Sequence, residues 1–304
     1  MHPAFDTIAK DYDQSFTDTA VGRLLRKRVW AVLRDWGIGG LGDSEHGTPN
    51  PPIHQSTNPQ ALELNCGTGE DAIWLAKRGW QVLATDVSPE MVAEARAKAV
   101  VHLAESCKLS ESSAGGERLK FQVCSFAEIS RFTDRQFDLV FSNFGGLNCV
   151  SPEDLQKLSL DLQKLIAPGG LFIAVVMSRF CWQETLYFLL KGKPREAFRR
   201  WSRTPMNARL DEKTTVPTWY FSPKELQNLF QIKGQRLKAK CRVHPVGFWL
   251  PPSYLNSFFE KHPRLLRLLN FLEKNFSPSW VAPAADHFLI CLENSSDDSK
   301  SSYE

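Results

Sequence analysis

No apolar run in this chain of 304 residues approaches the roughly 18 residues needed to cross a membrane. The N-terminus, MHPAFDTIAKDYDQ, is acidic and lacks the apolar centre of a secretion signal. Seven cysteines are scattered without a C-x-x-C pair, which argues against a disulfide frame and a zinc site, so no metal is expected. Net charge is only +3, too slight to imply a nucleic-acid partner without a local patch. No internal repeat is visible. These absences predict a soluble, cytoplasmic protein with no nucleic-acid partner. A hydrophobic share of 42% supplies a full core without staples.

The informative segment runs ALELNCGTGEDAIWLAKRGWQVLATD, residues 61–86. An apolar strand enters a turn with Gly67 and Gly69, a helix follows, and a second apolar strand closes on Asp86. This is the β-α-β unit of a nucleotide-binding α/β fold, in which glycine lets the backbone approach a ligand closely. Two ligands compete for it. Gly67-Thr68-Gly69-Glu70-Asp71-Ala72 fits the G-x-G-x-x-A pattern of a nicotinamide dinucleotide site, and Asp86 lies near the offset of a ribose-binding acid, about 20 residues on. A pyrophosphate, however, rests on the amides of the first helical turn, where Glu70 and Asp71 stand. Glu63 adds a third acid just before the turn. S-adenosylmethionine carries a sulfonium and an ammonium instead, and these acids suit it. Cys66, within the turn, reads as a small apolar filler.

Alternating strands and helices predict a doubly wound, mostly parallel sheet. Residues 1–36 have helical spacing and form a cover. Residues 37–60 are rich in Gly, Pro, Ser and Asn and read as a flexible connection. Residues 61–180 form the ligand-binding core, with strands at 61–65, 81–85, 119–124 and 137–144, and a fifth at LFIAVVM. Ser88-Pro89-Glu90 and Ser151-Pro152-Glu153 each start a helix, with Ser as cap and Pro in the first turn. Beyond Met177 the rhythm breaks. Residues 181–234 read as a substrate cap, helical over 181–203, strand-like over 214–221 and helical over 222–230. Residues 235–293 return to the sheet with strands at about 235–243 and 287–293, separated by a helix over 254–275. The polar tail, 294–304, reads as disordered.

Four segments in order carry a resemblance: ELNCGTG at 63–69, Asp86, FDLVFSNF at 137–144, and APGG at 167–170. With them the chain resembles the class I S-adenosylmethionine-dependent methyltransferases of the small-molecule type. Asn65 departs from the first glycine of the family pattern E-x-G-x-G-x-G. The resemblance implies a seven-stranded sheet with an antiparallel last strand, and S-adenosyl-L-methionine as cofactor. It places Glu63, Asn65, Cys66, Gly67, Gly69, Asp86, Val87, Met91, Ser125, Phe126, Asn143 and Phe144 around that cofactor. Asp86 would bind the ribose hydroxyls, and Ser125 and Phe126 the adenine. Tyr12 and Phe16 are candidate lid residues, and Arg23 or Arg26 is placed to meet the donor carboxylate. N-F-G-G at 143–146 differs from the N-P-P-Y of nucleic-acid nitrogen methyltransferases.

Large aromatics after strand five, among them Trp182, Tyr220 and Trp249, suggest an apolar or aromatic acceptor; packing of the cap is the equal alternative. Phe16 is a further acceptor candidate. His244 is the candidate general base, with His287 the other choice. Lys191, Lys193, Arg195, Arg199, Arg200 and Arg203 make 191–203 a basic stretch, either a solvated face or a contact for an acidic partner or an anionic membrane surface. Beside methyl transfer stand two other readings: an NAD(P)-binding oxidoreductase, and a non-catalytic interaction protein on the same fold.

Overall fold

A computed structural model describes residues 4–38, 58–107, 118–230 and 241–294. The expected connection at 37–60 and the tail at 294–304 lie mostly outside the described residues, at 39–57 and 295–304. Two short helical turns, Asp6–Asp11 and Asp13–Thr17, precede α1, Ala20–Asp35. The 1–36 segment is thus broken into three. Thr19 makes the last break, because its side chain caps α1 by accepting from Gly22 N at 2.9 Å, a contact worth about 1 kcal/mol.

The core then runs β1 Gln60–Glu63, α2 Glu70–Ala76, β2 Gln81–Asp86, α3 Pro89–Cys107, β3 Leu119–Val123, β4 Phe137–Ser142, α4 Pro152–Leu165 and β5 Ile166–Met177. Three shorter helices and a hairpin follow: α5 Trp182–Leu190, α6 Pro194–Ala197, then β6 Met206–Arg209 paired antiparallel with β7 Thr215–Thr218, and α7 Pro223–Phe230. The chain closes with β8 Arg242–Val246, α8 Asn256–Lys261, α9 Pro263–Asn275 and β9 His287–Glu293. The helix expected over 254–275 divides at His262-Pro263, since Pro restrains the preceding residue and supplies no N–H. Of the strand expected at 235–243, residues 235–240 lie outside the described set, and β8 begins at Arg242.

Seven strands form one sheet in the order β3-β2-β1-β4-β5-β9-β8. β1 through β5 are mutually parallel, and β9 runs antiparallel between β5 and β8. Alternation along β5 shows why both faces are covered. Leu171, Ile173 and Val175 pack with α1 and α2, while Phe172, Ala174 and Val176 pack with α4 and α7. The strand order reverses between β1 and β4, which opens a crevice at their carboxyl ends. Among the described residues no helix is long and apolar enough to cross a membrane.

Candidate active site

A cavity of about 260 Å³ occupies that crevice. Each strand end contributes to its wall: Leu64 to Gly67 after β1, Asp86 and Val87 after β2, Cys124 and Phe126 after β3, Asn143 to Gly146 after β4, and Met177 ending β5. Met91 on α3, Arg26 on α1, and Tyr12 and Phe5 from the N-terminal cover complete this side.

Gly67 has φ +51, and a Cβ added there would meet only Tyr12 at 3.9 Å. Its backbone therefore presents an open surface to the cavity. Gly69 differs. At φ +82 its absent Cβ would sit 2.9 Å from Ala95 and 3.1 Å from Phe121, so this glycine packs the turn against α3 and β3. Asn65 has an explanation in the opposite wall. Its Nδ2 donates to Asn143 O at 2.6 Å. A Cβ on Gly146 would fall 2.3 Å from its side chain. The missing glycine at 65 is offset by one at 146.

Charge is concentrated at one end. Asp86 accepts from Gly67 N and Ser88 N, each at 2.9 Å, and burial raises its carboxyl above the ordinary carboxylate range. Asp71 is buried and accepts from Arg26, from Trp30 Nε1 at 2.6 Å and from Asn143 Nδ2 at 2.9 Å. Burial opposes the charge of Arg26, but the attraction of Asp71 more than compensates, so its pKa is raised and it stays cationic. Behind the wall lies Glu63, almost fully buried, its pKa pushed well up by desolvation and by Asp71. Phe144 holds φ +45, unusual for a residue with a Cβ. Its ring is fixed between Phe16 at 5.3 Å, His287 at 5.6 Å and the Arg26 guanidinium at 5.2 Å.

The opposite end is apolar: Phe5, Cys149 and Met177 meet Ala208, Leu210, Val216 and Thr218 of the β6–β7 hairpin. Only a strand over 214–221 is expected from the sequence, so β6 and its contribution to the wall were missed. A signal for it exists in Asp211, whose Oδ1 accepts from Lys213 N and Thr214 N at 2.7 Å each, an Asx turn. The hairpin is tied to the N-terminal cover by Thr7 Oγ1, which donates to Asp211 Oδ2 at 2.8 Å. The cover is tied to the glycine turn by Thr68 Oγ1, which donates to Asp13 Oδ1 at 2.6 Å.

Of the residues expected around a cofactor, Asn65, Cys66, Gly67, Asp86, Val87, Met91, Phe126, Asn143, Phe144, Tyr12 and Arg26 line this cavity. Glu63, Gly69 and Ser125 do not. Ser125 instead caps the turn Phe126–Phe132, with its Oγ donating to Glu128 Oε2 at 2.7 Å. Phe16 is not in the lining and reaches the site through Phe144 and through Tyr12, 6.0 Å away.

The acceptor candidates beyond strand five require correction. Trp182, Tyr220 and Trp249 are absent from the lining. Trp182 Nε1 donates to Phe248 O at 2.7 Å and its ring lies 5.9 Å from Trp249, whose Nε1 donates to Phe276 O at 2.8 Å. Tyr220 lies beneath Arg200, 5.1 Å away. These aromatics pack the cap. His244 is also misplaced as a general base: it sits on β8 with its Nε2 3.3 Å from Arg28 Nη2, outside the cavity lining. Desolvation and Arg28 both lower its pKa. The basic stretch is not uniform. Arg200 is buried, pairing with Glu184 and Asp286 at 2.7 Å each, and Arg199 also pairs with Glu184 at 2.9 Å.

Every other titratable group in the wall is held in its neutral form. Burial pushes the Tyr12 phenol up to about 12 and the Cys149 thiol up to about 11, and it raises Cys66 and Cys124 as well.

Residues 61–170 match the family described as methyltransferase domain. Residues 61–170 are a class I methyltransferase domain. An uncharacterized methyltransferase of Synechocystis sp. is 29% identical over 153 residues, and the ubiquinone/menaquinone biosynthesis C-methyltransferase UbiE of Acidiphilium cryptum is 26% identical over 182. These matches take in 50% and 59% of this chain, and 63% and 59% of those relatives' own lengths. Around the domain the fold extends further. The solved complex of DhpI with SAH has a TM-score of 0.52 at 17% identity, covering 94% of this chain and 92% of that one. The likeness in fold therefore extends well beyond residues 61–170.

Proposed function

We propose that this protein transfers the methyl group of S-adenosylmethionine to a small acceptor with an apolar body. The observation that carries the reading is the division of one cavity into a charged end and an apolar end. At the charged end two buried carboxylates, Asp71 and Asp86, share the lining with a single cation, Arg26, which is already paired to Asp71. That balance favours a ligand bearing positive charge and repels a pyrophosphate, so a dinucleotide is not favoured. Gly67 supplies a bare backbone for the donor to lie against, and Asp86 keeps acceptor lone pairs free for ribose hydroxyls. Phe126 and Met91 offer apolar faces for a purine.

The bound methyl sulfonium supplies an electrophilic carbon, which requires no activation by a metal. The residues of the chain then have two tasks, alignment and exclusion of water. Tyr12, Phe5 and the hairpin close the crevice. Phe144, in its strained backbone position, fixes the wall between the two ends. The raised pKa values of Cys66, Cys124 and Cys149 keep their thiols protonated, so they do not compete for the methyl group.

Among the described residues no histidine or lysine lines the cavity. An acceptor that is nucleophilic without a protein base suits such a site: a neutral amine, or an enolate or phenolate of low pKa. A relative named for ubiquinone and menaquinone biosynthesis supports an apolar acceptor body. The test is incubation with radiolabelled donor and fractionated cell extract. Label is expected in an organic-extractable small molecule; label confined to protein or nucleic acid contradicts the reading.

A further inference from the structure

The outer face of α9 has no cover among the described residues. Inward, the helix buries Leu266 and Glu273, as an amphipathic surface helix should. Outward, Leu268 is 53% exposed and Phe271 56%, with Leu265 beside them at helical spacing. Phe276 and Trp280 extend the stripe, and Trp280 is 79% exposed. Apolar side chains are exposed on α5 as well. Trp249 binds Phe276 O and contacts Trp182, and α5 ends on Leu189 and Leu190, the latter 80% exposed. A contiguous apolar surface of this kind marks an interaction site.

Its charge identifies the partner. Segments 182–203 and 254–280 hold ten Lys and Arg against four Asp and Glu, of which one cation, Arg200, and two acids, Glu184 and Glu273, are buried. The whole chain carries only +3, so positive charge is gathered here and the remainder is net acidic. Between α1 and α9 runs a groove of about 260 Å³ whose lining includes Arg23, Lys27 and Arg267 and no carboxylate. Three cations line this groove, and Arg267, one helical turn before Phe271, joins it to the flank of the stripe, an arrangement that matches a phosphate headgroup above acyl chains. A second copy of the chain fits worse, because a two-fold contact would set this basic rim against itself.

We propose that the α5–α9 face docks on an anionic phospholipid bilayer, with Leu268, Phe271 and Trp280 entering the interface and the α1–α9 groove receiving a headgroup. Aromatic and basic side chains side by side are the composition that such interfacial binding uses. The inference stands apart from the methyl-transfer reading and does not need it.

The test uses the full chain in vesicle co-sedimentation, with phosphatidylcholine alone and with added phosphatidylglycerol. Pelleting is expected with the anionic vesicles only, and it should weaken as salt rises. Phe271→Ser with Trp280→Ser should reduce it severalfold, and so should Arg267→Glu, with melting temperatures unchanged because these side chains are exposed. The inference is overturned if the wild type stays in the supernatant with both vesicles, or if folded variants pellet like the wild type. Light scattering that shows a dimer split by Phe271→Ser, without vesicle binding, would also overturn it and make the stripe a subunit interface.

Discussion

The two ends of the cavity are built by different means. The charged end joins the turns after β1, β2 and β4 to Asp71 in α2 and Arg26 in α1, and its members bond one another: Arg26 to Asp71, Asp71 to Asn143, Asp86 to Gly67. The apolar end is assembled from pieces far apart in the chain, with Phe5 at one limit and Val216 at the other. It is held by the exposed Thr7–Asp211 contact and by buried Asn148, whose Nδ2 donates to Trp219 O at 2.6 Å and whose Oδ1 accepts from Met177 N at 2.9 Å. One end is a bonded polar cluster suited to a constant ligand, whereas the other meets its ligand mainly with apolar side chains.

Substitutions can break or sharpen this contrast. Arg26→Ala should act most strongly, because it leaves buried carboxylates without their cation. A loss of about 3 kcal/mol in unfolding free energy is expected from urea titration; an unmoved midpoint would mean the charged end is not held by this pair. Asp86→Ala should weaken donor binding by more than about tenfold, roughly 1.4 kcal/mol, in calorimetry. A pH profile follows from the same residue. Burial raises its folded pKa, so the ionised form that binds ribose exists above that value and is lost as pH falls through it. Donor affinity should thus decline from a pH above the ordinary carboxylate value of about 4, and Asp86→Asn should abolish that dependence.

Leu210→Ala belongs to the other end. It should lower kcat/KM for the acceptor by about tenfold, the low end of the scale for a trimmed hydrophobic pocket, while donor affinity stays the same. A change in donor affinity would show that the two ends are not separate. Asp211→Asn should have the smallest effect, no more than about twofold in kcat/KM, since the Thr7 contact is exposed.

Legibility in the sequence follows the same division. The turn at Gly67, the acid at 86 and the Asn143-Phe144 segment were readable because strand, turn and helix signals are local there. β9 was readable over its whole span because HFLICLE is a continuous apolar run bounded by polar residues. The hairpin was not, since β6 has four residues of which only Ala208 turns inward, too few for a period to show. Trp182 and Trp249 misled because an indole with a buried N–H satisfies a backbone carbonyl as readily as it lines a pocket. His244 misled for a related reason: sequence shows a histidine on a strand but not which face of the sheet it meets.

Isothermal titration of the full chain with S-adenosylhomocysteine, beside NAD under the same conditions, tests the central claim most directly. One site of micromolar affinity for the former, lost in Asp86→Ala, and no heat with the latter are predicted. Heat with NAD and none with S-adenosylhomocysteine would contradict the account.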